Sequence, residues 1–327
     1  MSGETFMLTG SMGCIGAWTL RNLAREGVRV VATDLATDPI RPRQVMSEEE
    51  LAKVKFAKLD VTDLKAVKQM VADEGVTHII HLAGLQVPFC RANPSVGAAV
   101  NVVGTVNILE AARENWGQVK GISYASSLAV LGPAELYPET PVKDDAPLLP
   151  ATLYGVYKQA NEWTARIYWQ DWQIPTIGLR PYIVYGVARD QGMTSDIAKA
   201  LLAVAAGRSY HLRFGGPVAL QYADDAARIF IETARSGYQG ATACNLRNDV
   251  VDVGDFVAMV KERFPEAQLT YDANNLLPFP YDLDDSGLQS ILGKVPHTPL
   301  AEAIDETVAM FKTLLAENLV DLKQLDG

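Results

Sequence analysis

What most constrains the folding of this chain is a rhythm. Short runs rich in apolar and β-branched residues, Thr5 to Thr9, Val28 to Asp34, Val54 to Leu59, His78 to Ala83, Gly121 to Ala125 and Pro175 to Leu179, alternate through the first half with segments long enough to form helices. One such segment carries Leu64, Val67, Met70 and Val71 at the near-3.6 spacing of a one-sided helix. Strands joined by crossover helices pair parallel and must be covered on both faces. The rhythm therefore predicts an α/β fold with a doubly wound parallel sheet and right-handed crossovers. Beyond Arg180 it loosens. Gly186, Gly192, Gly207, Gly215 and Gly216 punctuate the chain, and Pro278 and Pro280 flank a loop that precedes two more helical stretches, the second from about Leu300 to Leu315. We expect residues 1–180 to form the sheet domain, with a return segment around 219–247, and residues 181–327 to form mainly a smaller mixed lobe. The tail from Glu317 to Gly327 can extend, fray or dock on a partner.

Directly after the first strand stands Gly10-Ser11-Met12-Gly13-Cys14-Ile15-Gly16, followed by Leu20, Leu23 and Ala24 at helical spacing. Gly10 suits a tight turn, Gly13 removes the Cβ that would meet a pyrophosphate, and Gly16 lets the helix lie close to the sheet. The helix amino terminus then offers N–H groups and the positive end of its dipole to phosphate. A glycine triplet alone also fits a ligand-free turn, but here a strand precedes it, a helix follows, and a second strand ends at Asp34 at about the ~20-residue offset of a dinucleotide site. This makes the sheet domain a Rossmann-type, dinucleotide-binding one. Asp34 can accept hydrogen bonds from both adenosine ribose hydroxyls and repels a 2′-phosphate, which selects NAD, while Arg41 and Arg43 keep NADP open as a minor alternative.

The stretch Ala151 to Trp172 reads as a helix, with Tyr154 and Lys158 one turn apart on the same face. Tyr157 points about 100° away from Lys158, so Tyr154 is the better partner. A free phenol with a pKa of roughly 10 is a poor base, but a neighbouring ammonium and a cationic nicotinamide both favour the phenolate and bring it into range for general acid–base work. Ser127, at the end of the preceding strand, can hydrogen-bond a reacting oxygen and orient it toward that phenol, although a serine in such a turn is often structural.

Composition excludes other classes. Lys and Arg number 29 against 39 Asp and Glu, and a net charge of −10 argues against nucleic acid as a partner. The residues from Met1 to Phe6 carry no basic region leading into an apolar core, so they read as the approach to a strand and not as a secretory signal. The longest uncharged stretch, Ala92 to Leu109, is broken by Pro94, Gly97 and Gly104 and contains Asn101, Thr105 and Asn107, so no membrane span is expected. Cys14, Cys90 and Cys244 lack disulfide or metal-ligand spacing. A cytoplasmic protein without a bound metal is the expectation.

Taken together, these motifs resemble the extended short-chain dehydrogenase/reductase family, also called the NAD-dependent epimerase/dehydratase family, from about Phe6 to Phe311. The triplet Gly10, Gly13 and Gly16 is similar to the family's extended branch, and Tyr154-x-x-x-Lys158 to its catalytic signature. Asp60-Val61 resembles the adenine-contacting pair, His81-Leu82-Ala83-Gly84 the strand end beside the cofactor, Asn101 the supporting asparagine of the central helix, and Ser126-Ser127 the serine segment. Arg180-Pro181-Tyr182-Ile183-Val184-Tyr185-Gly186 resembles the segment near the nicotinamide. The resemblance implies an NAD-dependent enzyme with Ser127, Tyr154 and Lys158 as catalytic residues, Lys158 also holding the nicotinamide ribose. It implies cofactor contacts from Gly10, Met12, Gly13, Cys14, Ile15 and Gly16, from Asp34 and Leu35, from Asp60 and Val61, and from Leu82, Ala83, Gly84, Asn101, Tyr154, Lys158, Pro181 and Tyr182. It also implies a homodimer packed through helices such as the one bearing Trp163, Trp169 and Trp172.

The departures narrow the chemistry. Dehydratases of the family carry an acid just after the catalytic hydroxyl residue, where this chain has Leu128 and Ala129, so dehydration is not expected. Nucleotide-sugar epimerases usually carry an asparagine where Ile183 stands and an arginine ahead of the later strand that here reads Pro217 to Tyr222, which puts a nucleotide-sugar substrate in doubt. A smaller polyol, sugar or sugar acid remains, with Gln86, Ser127, Arg189, Arg213 and Gln221 as candidate contacts, each of which can equally be structural. His81 reads as a strand residue and not a base. Dehydrogenation with release of reduced cofactor is the leading reading. Epimerisation with no net redox change is the alternative, and a non-catalytic dinucleotide sensor, which has no need of a proton-transfer pair, is the remote one.

Overall fold

A computed structural model describes residues 3–326; Met1, Ser2 and Gly327, which enter the readings of the amino terminus and the tail, lie outside the described residues. The strands in chain order are β1 (Thr5–Thr9), β2 (Arg29–Asp34), β3 (Val54–Lys58), β4 (His78–His81), β5 (Gly121–Ala125), β6 (Thr176–Arg180), β7 (Ile183–Tyr185), β8 (Tyr210–Leu212), β9 (Pro217–Tyr222), β10 (Ala241–Asn245), β11 (Asp249–Asp252) and β12 (Leu269–Tyr271). The helices are α1 (Cys14–Arg25), α2 (Glu48–Leu51), α3 (Leu64–Asp73), α4 (Val87–Ala92), α5 (Pro94–Ala98), α6 (Gly104–Glu114), α7 (Leu153–Trp172), α8 (Asp196–Ala205), α9 (Ala223–Arg235), α10 (Val253–Arg263), α11 (Ser286–Leu292) and α12 (Leu300–Ala316).

Seven strands form one parallel sheet in the order β3-β2-β1-β4-β5-β6-β10. Side chains alternate across it: Phe6 and Leu8 of β1 join the core cluster that includes Leu20, Leu23 and Phe230 of α1 and α9, while Met7 between them joins the opposite cluster with Val67, Val71 and Ile108 of α3 and α6. Both faces of the sheet are thus buried. The chain winds outward from β1 in two directions, and the crevice that this reversal opens at the carboxyl ends of β1 and β4 is where such sheets bind ligands.

One strand end and one helix start differ from the sequence reading for a physical reason. β4 stops at His81, because Leu82 and Ala83 turn out of the sheet and give their N–H groups to the backbone oxygen (3.1 Å) and the hydroxyl (3.3 Å) of Thr9. Helix α7 starts at Leu153, because Thr152 caps it by accepting from the Gly155 N–H at 3.0 Å. Beyond β6 the chain forms a mixed three-stranded sheet, β11-β9-β7, and a parallel pair, β12-β8. It returns to the large sheet in α9, packed on β4 and β5, and in β10, while β9 stays with the small sheet. The stretch Pro94–Glu114 has the length and apolarity of a membrane span, yet half of it is buried within the fold; its α6 part packs on α3 and α7, and Asn101, Thr105 and Asn107 are buried.

Candidate active site

The site begins at the glycine turn. Gly10 sits at φ +69°, and a Cβ there would stand 2.6 Å from the Ala83 nitrogen; one at Gly16 would stand 2.5 Å from the Gly10 oxygen. Strand end, turn and helix can approach this closely only with glycine at both positions. Gly13 caps α1 with no side-chain hydrogen bond, and Gly13 to Gly16 line a cavity of about 590 Å³ into which the helix amino terminus opens. At the end of β2 the Asp34 carboxylate is pinned on the cavity wall, accepting from the backbone N–H groups of Met12 (3.0 Å) and Leu35 (2.8 Å). Asp60 lies beyond β3 and accepts from the Thr62 amide and hydroxyl at 2.9 and 2.7 Å. Arg41 donates to the Met12 oxygen at 2.9 Å and grips Asp190, and Arg43 pairs with Asp38, so both arginines are already engaged.

From these acids the cavity runs along the strand ends to Ser127, Tyr154 and Lys158. Lys158 is buried, donates to the Ala125 oxygen at 2.7 Å, and places its nitrogen 5.6 Å from the centre of the Tyr154 ring. Burial lowers its pKa to about 8. The Tyr154 phenol departs from the sequence reading: it lies above its ordinary value because burial outweighs the two opposing influences, a hydrogen bond from the Ser127 side chain and the positive charge of Arg189. The ammonium that was expected to lower it lies over the ring face and donates to a backbone oxygen, and it is not among the groups that shift the phenol. Ser127 is itself held in place, its Oγ accepting from the Ala129 N–H at 3.1 Å while the Leu128 N–H ties β5 to the Pro181 oxygen at the end of β6. A phenol, a hydroxyl and an ammonium, each anchored to the ends of adjacent strands or to the first turn of α7, are set to exchange a proton with an oxygen in the cavity.

Residues 6–246 match the model of the NAD dependent epimerase/dehydratase family. The chain belongs to that family. It is an enzyme of the extended short-chain dehydrogenase/reductase type, a dehydrogenase or epimerase by class. Among curated relatives it is 27% identical to the mitochondrial L-threonine 3-dehydrogenase of Sus scrofa over 86% of this chain and 75% of that protein, and 28% identical to the UDP-glucose 4-epimerase of Mycolicibacterium smegmatis over 94% and 98%. In fold it is similar to the UDP-glucose 4-epimerase of Thermotoga maritima solved with UDP-glucose, at a TM-score of 0.81 and 19% identity over 95% of this chain and 99% of that one.

Within this epimerase/dehydratase-family site the structure sorts the candidate residues. Gly10, Met12, Gly13, Cys14, Ile15, Gly16, Asp34, Leu35, Asp60, Val61, Leu82, Ala83, Gly84, Pro181 and Tyr182 line the cavity together with the three catalytic candidates, Gln86 and Arg189. Three candidates do not. Asn101 lies behind the wall, donating to the Leu85 and Gly97 oxygens at 3.2 and 3.0 Å. Gln221 is fully buried off the cavity, its amide used by the Tyr182 N–H and the Leu246 oxygen. Arg213 also lies off it, drawn into a forked pair with the buried Asp196. Both side chains lie away from the cavity, Arg213 paired with Asp196 and Gln221 bonded to backbone groups. His81 bridges Thr9 and Thr105 at 2.7 and 3.1 Å, and burial lowers its pKa to about 3, so it is a neutral structural residue.

Sequence reasoning missed two features. A buried network lies behind Ser127: Ser126 donates to Glu162, which pairs with Arg180 at 2.7 Å, and Arg180 in turn bonds the Asn245 side chain. It fixes β5, α7, β6 and β10 relative to one another, and cutting one partner of such a buried pair costs about 3–5 kcal/mol. The second is the outer wall, formed by Met193 and Thr194 and by Leu277, Pro278 and Phe279. The proline-flanked loop was visible in the sequence, but nothing local said that it lines the site. Among the described residues no group of three His, Cys, Asp or Glu side chains is arranged to hold a metal ion.

Proposed function

We propose that this enzyme is an NAD-dependent dehydrogenase acting at a carbinol carbon of a small polyol, sugar or sugar acid. The observation that carries this reading is that the Tyr154 phenol, the Ser127 hydroxyl and the Lys158 ammonium share one cavity wall with the uncapped amino terminus of α1. The residues fit a dinucleotide: a glycine turn and helix end suit the diphosphate, the pinned Asp34 suits the ribose hydroxyls, and the buried Asn101 Oδ1 has no protein partner beside Gly84, where a Cβ would meet both that oxygen (2.7 Å) and the Lys158 nitrogen (3.2 Å). Bound NAD supplies the hydride acceptor for oxidation and, when reduced, the donor for the reverse reaction. Ser127 and Tyr154 hold the substrate oxygen. Tyr154 takes the hydroxyl proton during oxidation and returns it during reduction. Lys158 adds positive charge beside the phenol. No acid stands at the reacting end for dehydration, because Leu128 and Ala129 occupy that wall.

The decisive experiment supplies polyols, sugars and aldonic acids with NAD and follows reduced nicotinamide. Stoichiometric NADH release from one of them supports the dehydrogenase. The similarity to a UDP-glucose 4-epimerase over nearly the whole of both chains keeps a second reading, epimerisation. Dinucleotide retained through purification, with isomerised substrate and no NADH release, would establish it. We also infer a homodimer, since Val156, Trp163 and Ile167 form one exposed apolar face of α7, and a cytoplasmic setting, which three free cysteines suit.

A further inference from the structure

The cavity is electrostatically lopsided in a way that bears on what it binds. Its lining acids are Asp34 and Asp60, and both lie toward the β2–β3 edge. The reacting end, at β5 and β6, is lined by no Asp or Glu although the chain as a whole carries a net charge of −10. Three cations line the cavity. Arg41 is held by Asp190, and Lys158 donates a hydrogen bond to the Ala125 oxygen. Arg189 is different: among the described residues it has no carboxylate partner, its contact with the Thr194 hydroxyl is long at 3.5 Å, and its Nε is buried with no acceptor. The adjacent Asp190, the obvious counter-ion, is turned to Arg41. An arginine left without an acceptor is costly.

The backbone holds Arg189 in this position. Ala188, just before it, is buried and sits at φ +71°, a left-handed conformation that costs a residue with a Cβ on the order of 1 kcal/mol or more and persists only where the surroundings impose it. A Cβ on Gly192 would stand 2.8 Å from the Gln86 Oε1 and 3.0 Å from an Arg189 terminal nitrogen, so the guanidinium and the Gln86 amide converge on one spot next to the Thr194 hydroxyl. The charge of Arg189 is felt both at the Tyr154 phenol and at the Cys14 thiol of the glycine turn, and all of these line one cavity, so that spot lies between the turn and the reacting end.

We propose that the substrate is a small hydroxycarboxylate whose carboxylate is held by Arg189, with Gln86 and Thr194 completing the grip, while its carbinol lies at Tyr154 and Ser127. A planar guanidinium fork takes a carboxylate bidentately, and a phosphate ester, which the same fork can also hold, is the competing probe in the test below. The proposal rests on the oxidoreductase reading above and names the substrate class for the same site. The lining agrees with it: Met193, Leu277 and Phe279 are apolar and offer a large diphosphate-linked group no charged partner.

Calorimetric titration of the NADH-loaded protein separates the possibilities, using glycerate, threonate and gluconate, the alditols of matching length, and glycerol 3-phosphate as probes. The expected result is binding of at least one aldonate, weakened roughly 10- to 100-fold in Arg189→Met and partly restored in Arg189→Lys, with NADH affinity unchanged in both variants. A parallel loss of NADH affinity would assign Arg189 to the dinucleotide diphosphate and overturn the proposal. Equal or tighter binding of the alditol or the phosphate ester, or no aldonate binding in the millimolar range, would overturn it as well. The two readings fail separately. Aldonates bound through Arg189 that never reduce NAD would sink the dehydrogenase and leave the carboxylate grip standing; a neutral alcohol oxidised equally well by Arg189→Met would do the reverse.

Discussion

The cavity has two walls of different origin. The inner wall is made of strand ends in one sheet: the turn after β1, Asp34 after β2, Leu82 to Gly84 after β4, Ser127 after β5 and Pro181 after β6. Neighbouring strands in a sheet lie about 5 Å apart, so a residue placed at a strand end is placed to within a fraction of a side chain. The outer wall is made of loops: Arg189 to Thr194 after β7, and Leu277 to Phe279 after β12. These positions are set by long excursions of the chain and can be changed without disturbing the sheet. The division of labour follows from this. In the function proposed above, chemistry and cofactor belong to the rigid wall, and substrate identity to the variable one.

The sharpest test of the inner wall removes its phenolic oxygen. Tyr154→Phe should lower kcat by about 10³-fold with NADH affinity unchanged, as expected when a general acid–base is deleted and packing is kept. Turnover near that of the parent would take the chemistry away from this wall altogether.

Lys158 tests the same wall through stability. Its pKa is about 8 in the fold against 10.5 as an ordinary lysine, so between these values the unfolded chain keeps a proton that the folded one has released. The cost of burying the charge is therefore present in full below about pH 8 and fades as pH rises toward 10.5; it is on the order of 3 kcal/mol. Lys158→Met should lose activity yet melt no lower than the parent at pH 7, after allowance for the Ala125 oxygen left unpaired, and its relative advantage should shrink between pH 8 and 10. A melting difference that stays flat over that range would show that the ammonium is not desolvated as the geometry requires.

The contrast also explains what could be read in the sequence. The glycine turn and the Tyr154–Lys158 pair were legible because their meaning lies in local spacing: a strand-to-helix turn and one helical turn. The parallel, doubly wound character of the sheet followed from the alternation of elements. Arg213 and Gln221 misled because a sequence shows residue types and not who has already claimed them. Asp196 takes the first, and the Tyr182 amide with the Leu246 carbonyl takes the second. Arg189 has the same residue type as Arg213, and only the direction of Asp190 sets the two apart. The outer wall was illegible for a related reason: Thr194 and Phe279 are brought to one cavity by two separate excursions of the chain, and no spacing rule spans them.

Asp34 probes cofactor choice at the rigid end. Its carboxylate is oriented by two backbone N–H groups before any ligand arrives, so Asp34→Ser should weaken NAD binding about tenfold, the worth of charge-assisted hydrogen bonds, and improve NADP by removing the repulsion. Titration by nicotinamide fluorescence with both reduced cofactors measures this. An unchanged NADH/NADPH ratio would mean that discrimination lies elsewhere.

Phe279 probes the other wall, and its effect should be the smallest. It packs edge-on against Tyr182 at a centroid distance of 6.1 Å, where it both lines the cavity and covers a phenol whose hydroxyl has no hydrogen-bond partner among the described residues. Truncating it to alanine removes an aromatic edge contact worth about 1 kcal/mol and opens the wall to water. Phe279→Ala should therefore raise the substrate KM roughly fivefold while leaving NADH affinity and the melting temperature nearly unmoved, since the loop contributes little to the main core. The measurement is a KM-against-Kd comparison on one preparation. If NADH affinity fell as far as substrate affinity, loop and sheet would be one binding surface, and the assignment of substrate identity to the outer wall would be wrong. If only the KM moves, the loop after β12 is the place to engineer a new substrate without touching Ser127, Tyr154 or Lys158.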